Sequence, residues 1–529
     1  MTSLKSAKSL IGHFTVLIVL CAVSSVLTTS NHAVYAQDNE DGKKVKFDRD
    51  EAELENFRAD KEALLSKSRL KRINILTRLI DKNKQSRDMP DLLFQLAELE
   101  WDEAKYRYFL KRKEYDKVYE AYLEGTLTKR PEEPKPDYSR AEVHYQKLLS
   151  SFSNYRKIDT VLFFLAQGYK LSGNSSKMMQ FMNRLVKEYP KSDYVTRANL
   201  ALGEVYFDKN IMGAAETFYE AVVKDLKAPE YPYALYKLGY TYYNLHKYEP
   251  SIVSFKKVIE MGLSGKRKIA FQNQAYGALA LSFTEVDSGW ENARDYFKSI
   301  EGRAKRPGLA VEQLERMARI FDKQDKMAEQ LAVYEYLIAD NPTSFKIPEY
   351  ADYMVATYKK QEDLNKTEEQ IMRFFKYFED KTSWGVANKG ETDDMQNART
   401  RARQFREVQL DWMISSFHTS AQSLEKEKSP KVAAPFYAKA AIYYDLFINT
   451  FPDSKDLYEK EFFLAEILSY QQGNWDKAIT HYTGVTKRDP KGKYSKESAY
   501  KVILCGEEKM AIANLIPAPE HFKNAGKIT

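Results

Sequence analysis

Apolar residues recur along this chain in pairs of helix-length stretches, with no sustained alternation of the kind a half-buried strand needs. The stretches "FFLAQGYKL" (163–171), "LALGEVYFD" (200–208) and "YKLGYTYYN" (236–244) share one arrangement. Each has Leu, then a small residue, then Tyr three further on: Leu165-Ala166-Tyr169, Leu202-Gly203-Tyr206 and Leu238-Gly239-Tyr242. The small residues lie 37 and 36 positions apart. About a dozen residues after each, a second stretch repeats at i, i+4 and i+7: Met178-Met182-Leu185, Ala215-Tyr219-Val222 and Ser251-Phe255-Val258. This spacing predicts two antiparallel helices per unit. The small residue permits close approach, the aromatic fills the gap beside it, and the second stripe covers the pair. One such hairpin cannot bury both faces alone, so units must stack.

These units resemble the tetratricopeptide repeat (TPR) family. The unit from Val311 to Pro342 fits the pattern without a gap, through Leu314, Met317, Ala318 and Phe321, then Tyr334, Leu337 and the closing Pro342. Further second helices match: Ala141-Tyr145-Leu148, Ala293-Phe297-Ile300, Ala440-Tyr444-Phe447 with Pro452, and Ala478-Tyr482-Val485 with Pro490. The resemblance implies an all-α fold, a right-handed α-α superhelix (solenoid) of about eight or nine TPR-like hairpins over roughly residues 90–510. Some units depart from it. The first has a long insertion, Tyr350 to Phe375 is poor in small residues at the signature places, and two units carry an extra turn residue. The phrases "KEYPKSDYVTRANLALGEVYF" and "NTFPDSKDLYEKEFFLAEILSYQQGNWDKAITHY" are similar to TPRs of bacterial envelope proteins. These include outer-membrane assembly lipoproteins, Tol–Pal-associated coordinators and long deltaproteobacterial envelope proteins.

The N-terminus changes the picture of where such an array works. Lys5 and Lys8 precede "LIGHFTVLIVLCAV", and "VYAQD" follows with Val34 and Ala36 at signal-peptidase-like positions. The alternative is an uncleaved anchor, but the apolar run is shorter than the roughly 20 residues a membrane span needs. Leu20 before Cys21 argues against lipidation. Residues 1–36 are therefore expected to be a signal peptide, which places the mature chain in a bacterial periplasm, with a peripheral outer-membrane association left open. Cleavage removes two lysines and takes the formal charge from +7 to +5. Spread over nearly 500 residues, that is no nucleic-acid footprint. Cys505 becomes the sole cysteine, so no internal disulfide can form.

Between export signal and C-terminus the expected order is as follows. Residues 37–90 hold a charged leader and capping helices, the latter carrying Leu54, Phe57, Leu65, Ile73, Leu76 and Ile80. A main array over 91–378 contains an exposed Pro-rich loop at 125–138. A linker at 379–406, C-terminal units at 407–510 and a tail at 511–529 complete the chain. The 43% hydrophobic content excludes disorder, and 21 Gly with 17 Pro leave few breaks between helices.

Catalytic patterns are absent. His144, His246, His418, His481 and His521 form neither a His-Glu-x-x-His motif nor a pair at i, i+4. "GLSGK" (262–266) is too short to cradle phosphate and follows a helix, and Cys505 reads as a small core residue. The basic run "KSRLKR" (67–72) reads as a solvated helix face, with a phosphate or anionic-lipid contact as its alternative. No metal, cofactor or catalytic residue is expected, and oligomeric state stays open.

What remains is recognition. The stretch "YPYALYKLGYTYYN" (231–244) holds six tyrosines in fourteen positions. The TPR resemblance implies that Tyr233, Tyr236, Tyr240, Tyr243 and Asn244 lie on the concave, ligand-facing side. Leu235, Leu238, Gly239 and Tyr242 would face the core, and i, i+3, i+4, i+7 geometry sorts the two sets in the same way. The preceding units place Arg197, Leu200, Phe207 and Phe163 on that concave side. Such a strip is aromatic and amphipathic, unlike the Lys/Asn lining of carboxylate-clamp TPRs. The expected activity is non-catalytic binding of an envelope protein or peptide. The alternatives are tyrosines packed by neighbouring units, a spacer subunit binding through its ends, and a cell-wall-acting enzyme with a solenoid body.

Overall fold

The computed structural model describes the backbone of residues 49–265, 269–427 and 430–513, with side chains from residue 61 onward. The expected export signal with Cys21, the expected leader at 37–47, the side chains of Leu54 and Phe57, Lys266 and positions 514–529 of the tail, with His521, lie outside the described residues.

Every regular element among the described residues is helical. A first compact unit, ending at Ile158, holds α1 (Arg49–Lys82), α2 (Met89–Leu123) and α3 (Ser139–Ser151). The second begins at Asp159 and is a run of hairpins. It opens with α4 (Ile158–Leu171) and α5 (Ser175–Glu188), then α6 (Val195–Asp208) and α7 (Met212–Val222). Next come α8 (Tyr231–Asn244) with α9 (Tyr248–Leu263) and α10 (Gln272–Phe283) with α11 (Gly289–Ala304). After these stand α12 (Leu309–Lys323) with α13 (Met327–Asp340) and α14 (Ile347–Lys360) with α15 (Leu364–Tyr377). The short α16 (Ser383–Ala387) precedes the long pair α17 (Asp393–Glu427) and α18 (Pro430–Thr450). Finally α19 (Leu457–Glu466) runs through a π-helical turn, Ile467–Gln471, to α20 (Trp475–Arg488) and α21 (Ser495–Ile512). With α2–α3 of the first unit, nine helix pairs occur among the described residues, an all-α fold of TPR-like hairpins.

In α6–α7 and α8–α9 the small residue and the ring sixteen positions later form the lock of the pair. A Cβ added to Gly203 would meet the Tyr219 ring at 2.8 Å, and one on Gly239 would meet the Phe255 ring at 2.8 Å. Tyr145, Tyr219, Phe255, Phe297, Tyr334 and Tyr482, on six of the nine second helices among the described residues, are all buried to 1% exposure or less. First helices end in a common device. Gly173, Asn210, His246, Asp325, Glu362 and Gly473 all have positive φ at the middle of a three-residue turn. At Asn210 the amide donates to the Phe207 carbonyl (2.9 Å) and the next amide, Ile211, reaches back to Tyr206 (2.8 Å). These bonds satisfy carbonyls left open at the helix end, and Gly and Asn take the left-handed conformation at least cost. The two extra turn residues are absorbed differently: one in the five-residue α10–α11 connection, the other in the π-helical turn after α19.

Residues 379–406 hold α16 and the start of α17, packed within the second unit. Trp384 is 2% exposed, its ring 4.8 Å from Phe378, and its indole N–H donates to the Ser344 carbonyl at 2.9 Å. In the first unit the Pro-rich segment 125–138 is mostly exposed. Arg112 nevertheless pairs with Glu133, and Tyr138 stacks on Trp101 at 3.9 Å, which holds the segment along α2.

Candidate functional site

The tyrosine strip of α8 divides according to what the next repeat supplies. Tyr233 and Tyr236 are 7% and 6% exposed because Phe271, at the start of α10, lies 6.0 and 4.8 Å from their rings. Tyr240 is half-buried against Phe255 at 5.1 Å, and its hydroxyl accepts a long bond from Tyr236 (3.4 Å). Tyr243 is half-buried and donates to Glu285 at 3.2 Å, while Asn244 is exposed. Burial, reinforced by Glu285, keeps the Tyr243 phenol protonated far above its ordinary range. Open clefts of about 510 and 430 Å³ flank this edge; both are lined by Glu249, Val286 and Asp287.

In the two preceding repeats Phe163, Leu200 and Phe207 are buried and Arg197 is exposed. Phe163 stacks on Tyr194 at 4.5 Å, and Arg197 pairs with Glu230 at 3.4 Å. Charges run between successive first helices here. Lys170 of α4 donates to Glu204 of α6 at 2.8 Å, and the Lys237 ammonium of α8 sits 3.7 Å above the Phe207 ring. Burial pushes the Lys237 pKa down, opposed by Asp208 and Glu204. Of the nine nominated residues, then, Tyr240, Tyr243, Asn244 and Arg197 remain accessible, and the other five form the bed beneath them.

The signature residues Leu165, Ala166, Tyr169, Leu202, Gly203, Leu238 and Gly239 are buried. Tyr206 and Tyr242 are only half-buried. Tyr169 stacks on Phe181 (5.7 Å) and Tyr206 on Phe218 (5.4 Å), each twelve residues on. The place twelve after Tyr242 is Ser254, so Tyr242 instead sends its hydroxyl to Glu220 at 2.9 Å. Pro342 is exposed, and its carbonyl accepts from Tyr377 (2.7 Å).

Two residues escaped the sequence reading. Arg316 and Arg319 on α12 are exposed and pair with no carboxylate among the described residues. The Arg316 guanidinium lies across Gly277, 2.9 Å from where a Cβ would stand, and its charge reaches the Tyr240 phenol. Gly277 was the available signal, a mid-helix glycine that is not at the small signature place and leaves room for a side chain from the next repeat. Elsewhere, Cys505 is fully buried and burial pushes its thiol up to about 11, so it is inert packing. His418 shares a hydrogen bond with the Tyr444 hydroxyl (2.9 Å) and is held below its ordinary pKa by burial. Among the described residues no cluster of His, Cys, Asp or Glu is arranged to hold a metal, and no helix is long and apolar enough to cross a membrane.

Comparison with known proteins agrees with the helix pairs. Residues 232–261, spanning α8 and most of α9, match a tetratricopeptide-repeat family model, and residues 161–192 match another. The chain therefore carries tetratricopeptide repeats, a fold that serves in general as a protein-interaction scaffold. No curated protein matches the chain. Among solved structures it is similar to the C-terminal part of a TPR repeat-containing protein from Cytophaga hutchinsonii, with 17% identity over 55% of this chain and 98% of that one and a TM-score of 0.32. It is also similar to a tetratricopeptide repeat protein from Parabacteroides merdae, with 11% identity over 59% of this chain and 98% of that one and a TM-score of 0.27.

Proposed function

We propose that this chain is a non-catalytic scaffold, exported to a bacterial periplasm, that holds a protein or peptide of the envelope machinery on the first-helix face from α6 to α12. One observation carries the reading. Tyr240, Tyr243 and Asn244 are accessible on a helix fixed by an aromatic bed, the charge of the unpaired Arg316 reaches Tyr240, and the unpaired Arg319 stands one turn further along α12. Tyr and Arg are the side chains that most often anchor interfaces, since each offers large contact area with a polar tip. The preferred ligand is a segment pairing an apolar or aromatic side chain with a negative charge. The signal-like residues 1–36 and the envelope-type phrases support the compartment. Both matched family models describe tetratricopeptide repeats, which supports a binding role over a catalytic one.

The test is a tiled peptide array of the host's exported proteins, probed with the mature chain and with a Tyr240→Ala/Tyr243→Ala/Arg319→Glu variant. A discrete set of peptides should bind, and the variant should bind them at least about tenfold more weakly, the scale of a lost anchor. Unchanged binding by the variant would remove the face from consideration.

The spacer reading has one observation in its favour. On α21, Tyr500, Ile503 and Met510 fall on one side and are 59, 60 and 43% exposed, an open apolar face at the end of the described array. If loss of peptide binding followed Tyr500→Ser/Ile503→Ser instead, the spacer reading would replace the first.

A further inference from the structure

Helix α1 carries two apolar stripes side by side, one buried and one open. Ser66, Ile73, Leu76 and Ile80 are buried on the side that meets α2, where Ser66 donates to Glu103 (3.0 Å) and Arg69 pairs with the same carboxylate (3.1 Å). The other stripe is open: Leu64, Leu65, Ile75 and Leu79 are 68, 47, 58 and 41% exposed. At 3.6 residues per turn these four fall within roughly a third of the helix circumference. Arg72 lies within that sector and Lys67, Lys71 and Arg78 along its outer edge; all four are exposed, and none has a carboxylate partner among the described residues. Arg69, on the buried side, has two, Glu62 and Glu103. From Lys67 to Lys84 the chain holds seven basic residues and one acid. A merely solvated helix face mixes both signs and keeps leucine and isoleucine off its outer side.

Apolar side chains bordered by unpaired cations suit a helix lying in the plane of an anionic bilayer surface. The leucines and isoleucine enter the boundary between headgroups and acyl chains, while the ammonium and guanidinium groups meet lipid phosphates. Charge complementarity selects this occupant. A second copy of the chain would set the same cations against each other, and a neutral surface would leave them unpaired. We propose that the exposed face of α1 docks the protein on an anionic phospholipid surface. This does not depend on the peptide-binding reading, because the docking face lies wholly on α1.

The experiment is flotation of the mature chain with vesicles of phosphatidylglycerol and phosphatidylethanolamine, and with vesicles of phosphatidylcholine alone. At low ionic strength the chain should partition at least about tenfold better onto the anionic vesicles, and lose that preference as salt screens the charges. A Lys67→Glu/Lys71→Glu/Arg72→Glu/Arg78→Glu variant should lose about a hundredfold or more in partitioning. Ile75→Ser/Leu79→Ser should lose about tenfold. All six side chains are exposed, so unchanged circular dichroism of both variants identifies the loss as one of docking. Failure of the wild-type chain to float, or equal flotation of the charge-reversed variant, would overturn the proposal. So would retention on a poly-glutamate resin without vesicle binding, which would assign the face to an acidic protein.

Discussion

Replacing Gly239 by valine is expected to cost about 3 kcal/mol and to loosen the α8–α9 pair. A Cβ at this position would stand 2.8 Å from both Cε1 and Cζ of Phe255. That ring has nowhere to go: it is fully buried, with Tyr236 at 5.8 Å and Tyr240 at 5.1 Å edge-on against it. A displaced Phe255 would therefore also move Tyr240, coupling a packing defect to the binding face. The contrast is Gly277, also inside a first helix. Its nearest neighbour is the tip of the flexible Arg316 side chain at 2.9 Å, which can swing away. Gly277→Ala should be neutral or stabilise by about 0.5–1 kcal/mol, the usual gain from removing a mid-helix glycine. Because repeats unfold in part as separate units, the readout is hydrogen exchange of α8 and α9 amides. Equal protection in the two variants would show that the pair is not locked by this contact.

Trp384→Ala should be the most damaging change outside the hairpin locks, at about 4 kcal/mol. The indole closes a cluster in which Phe378 lies 4.8 Å from Trp384 and 5.6 Å from Phe405 of α17. Its N–H also holds the Ser344 carbonyl between α13 and α14, so the five-residue α16 ties the α13–α14 turn to the next long hairpin. Trp384→Phe separates the two contributions. It keeps most of the packing and leaves the Ser344 carbonyl unpaired, a loss of about 1–2 kcal/mol. Exchange protection at the start of α17 should fall in the order wild type, Phe, Ala. A variant with alanine at 384 that stays as protected as wild type would make residues 379–406 the loose linker that their composition suggests.

The hairpins were legible because their periodicity and their locks are local. Gly239 and Phe255 lie sixteen residues apart in one unit, and the same pairing recurs at Gly203 and Tyr219. Contacts between repeats were harder to see. Whether Tyr233 and Tyr236 face a groove depends on Phe271, which belongs to no periodic stretch, and on how closely α10 stacks against α8. Tyr242 lacks the stacked ring of the earlier repeats because of a single residue, Ser254, standing where they have phenylalanine, and its hydroxyl turns to Glu220 instead. Segment 379–406 has the glycines and acids of a linker, while Trp384 and Asn388 bond the carbonyls of Ser344 and Thr343, contacts that local composition does not reveal. Arg316 and Arg319 read as ordinary surface charges until Gly277 is placed beneath one of them.

The central claim is that a partner is held on the first-helix face around Tyr240 and Tyr243. Site-specific photocrosslinking in the native host tests it most directly, with the crosslinker at Asn244 or Arg319 and, as controls, at Val253 of α9 or Ile442 of α18, which are 49% and 62% exposed. The predicted result is a discrete protein adduct from positions 244 and 319, absent from 253 and 442, and lost when Tyr240 and Tyr243 are alanine. Adducts of equal yield at all four positions, or an adduct at 244 that survives the tyrosine changes, would contradict it.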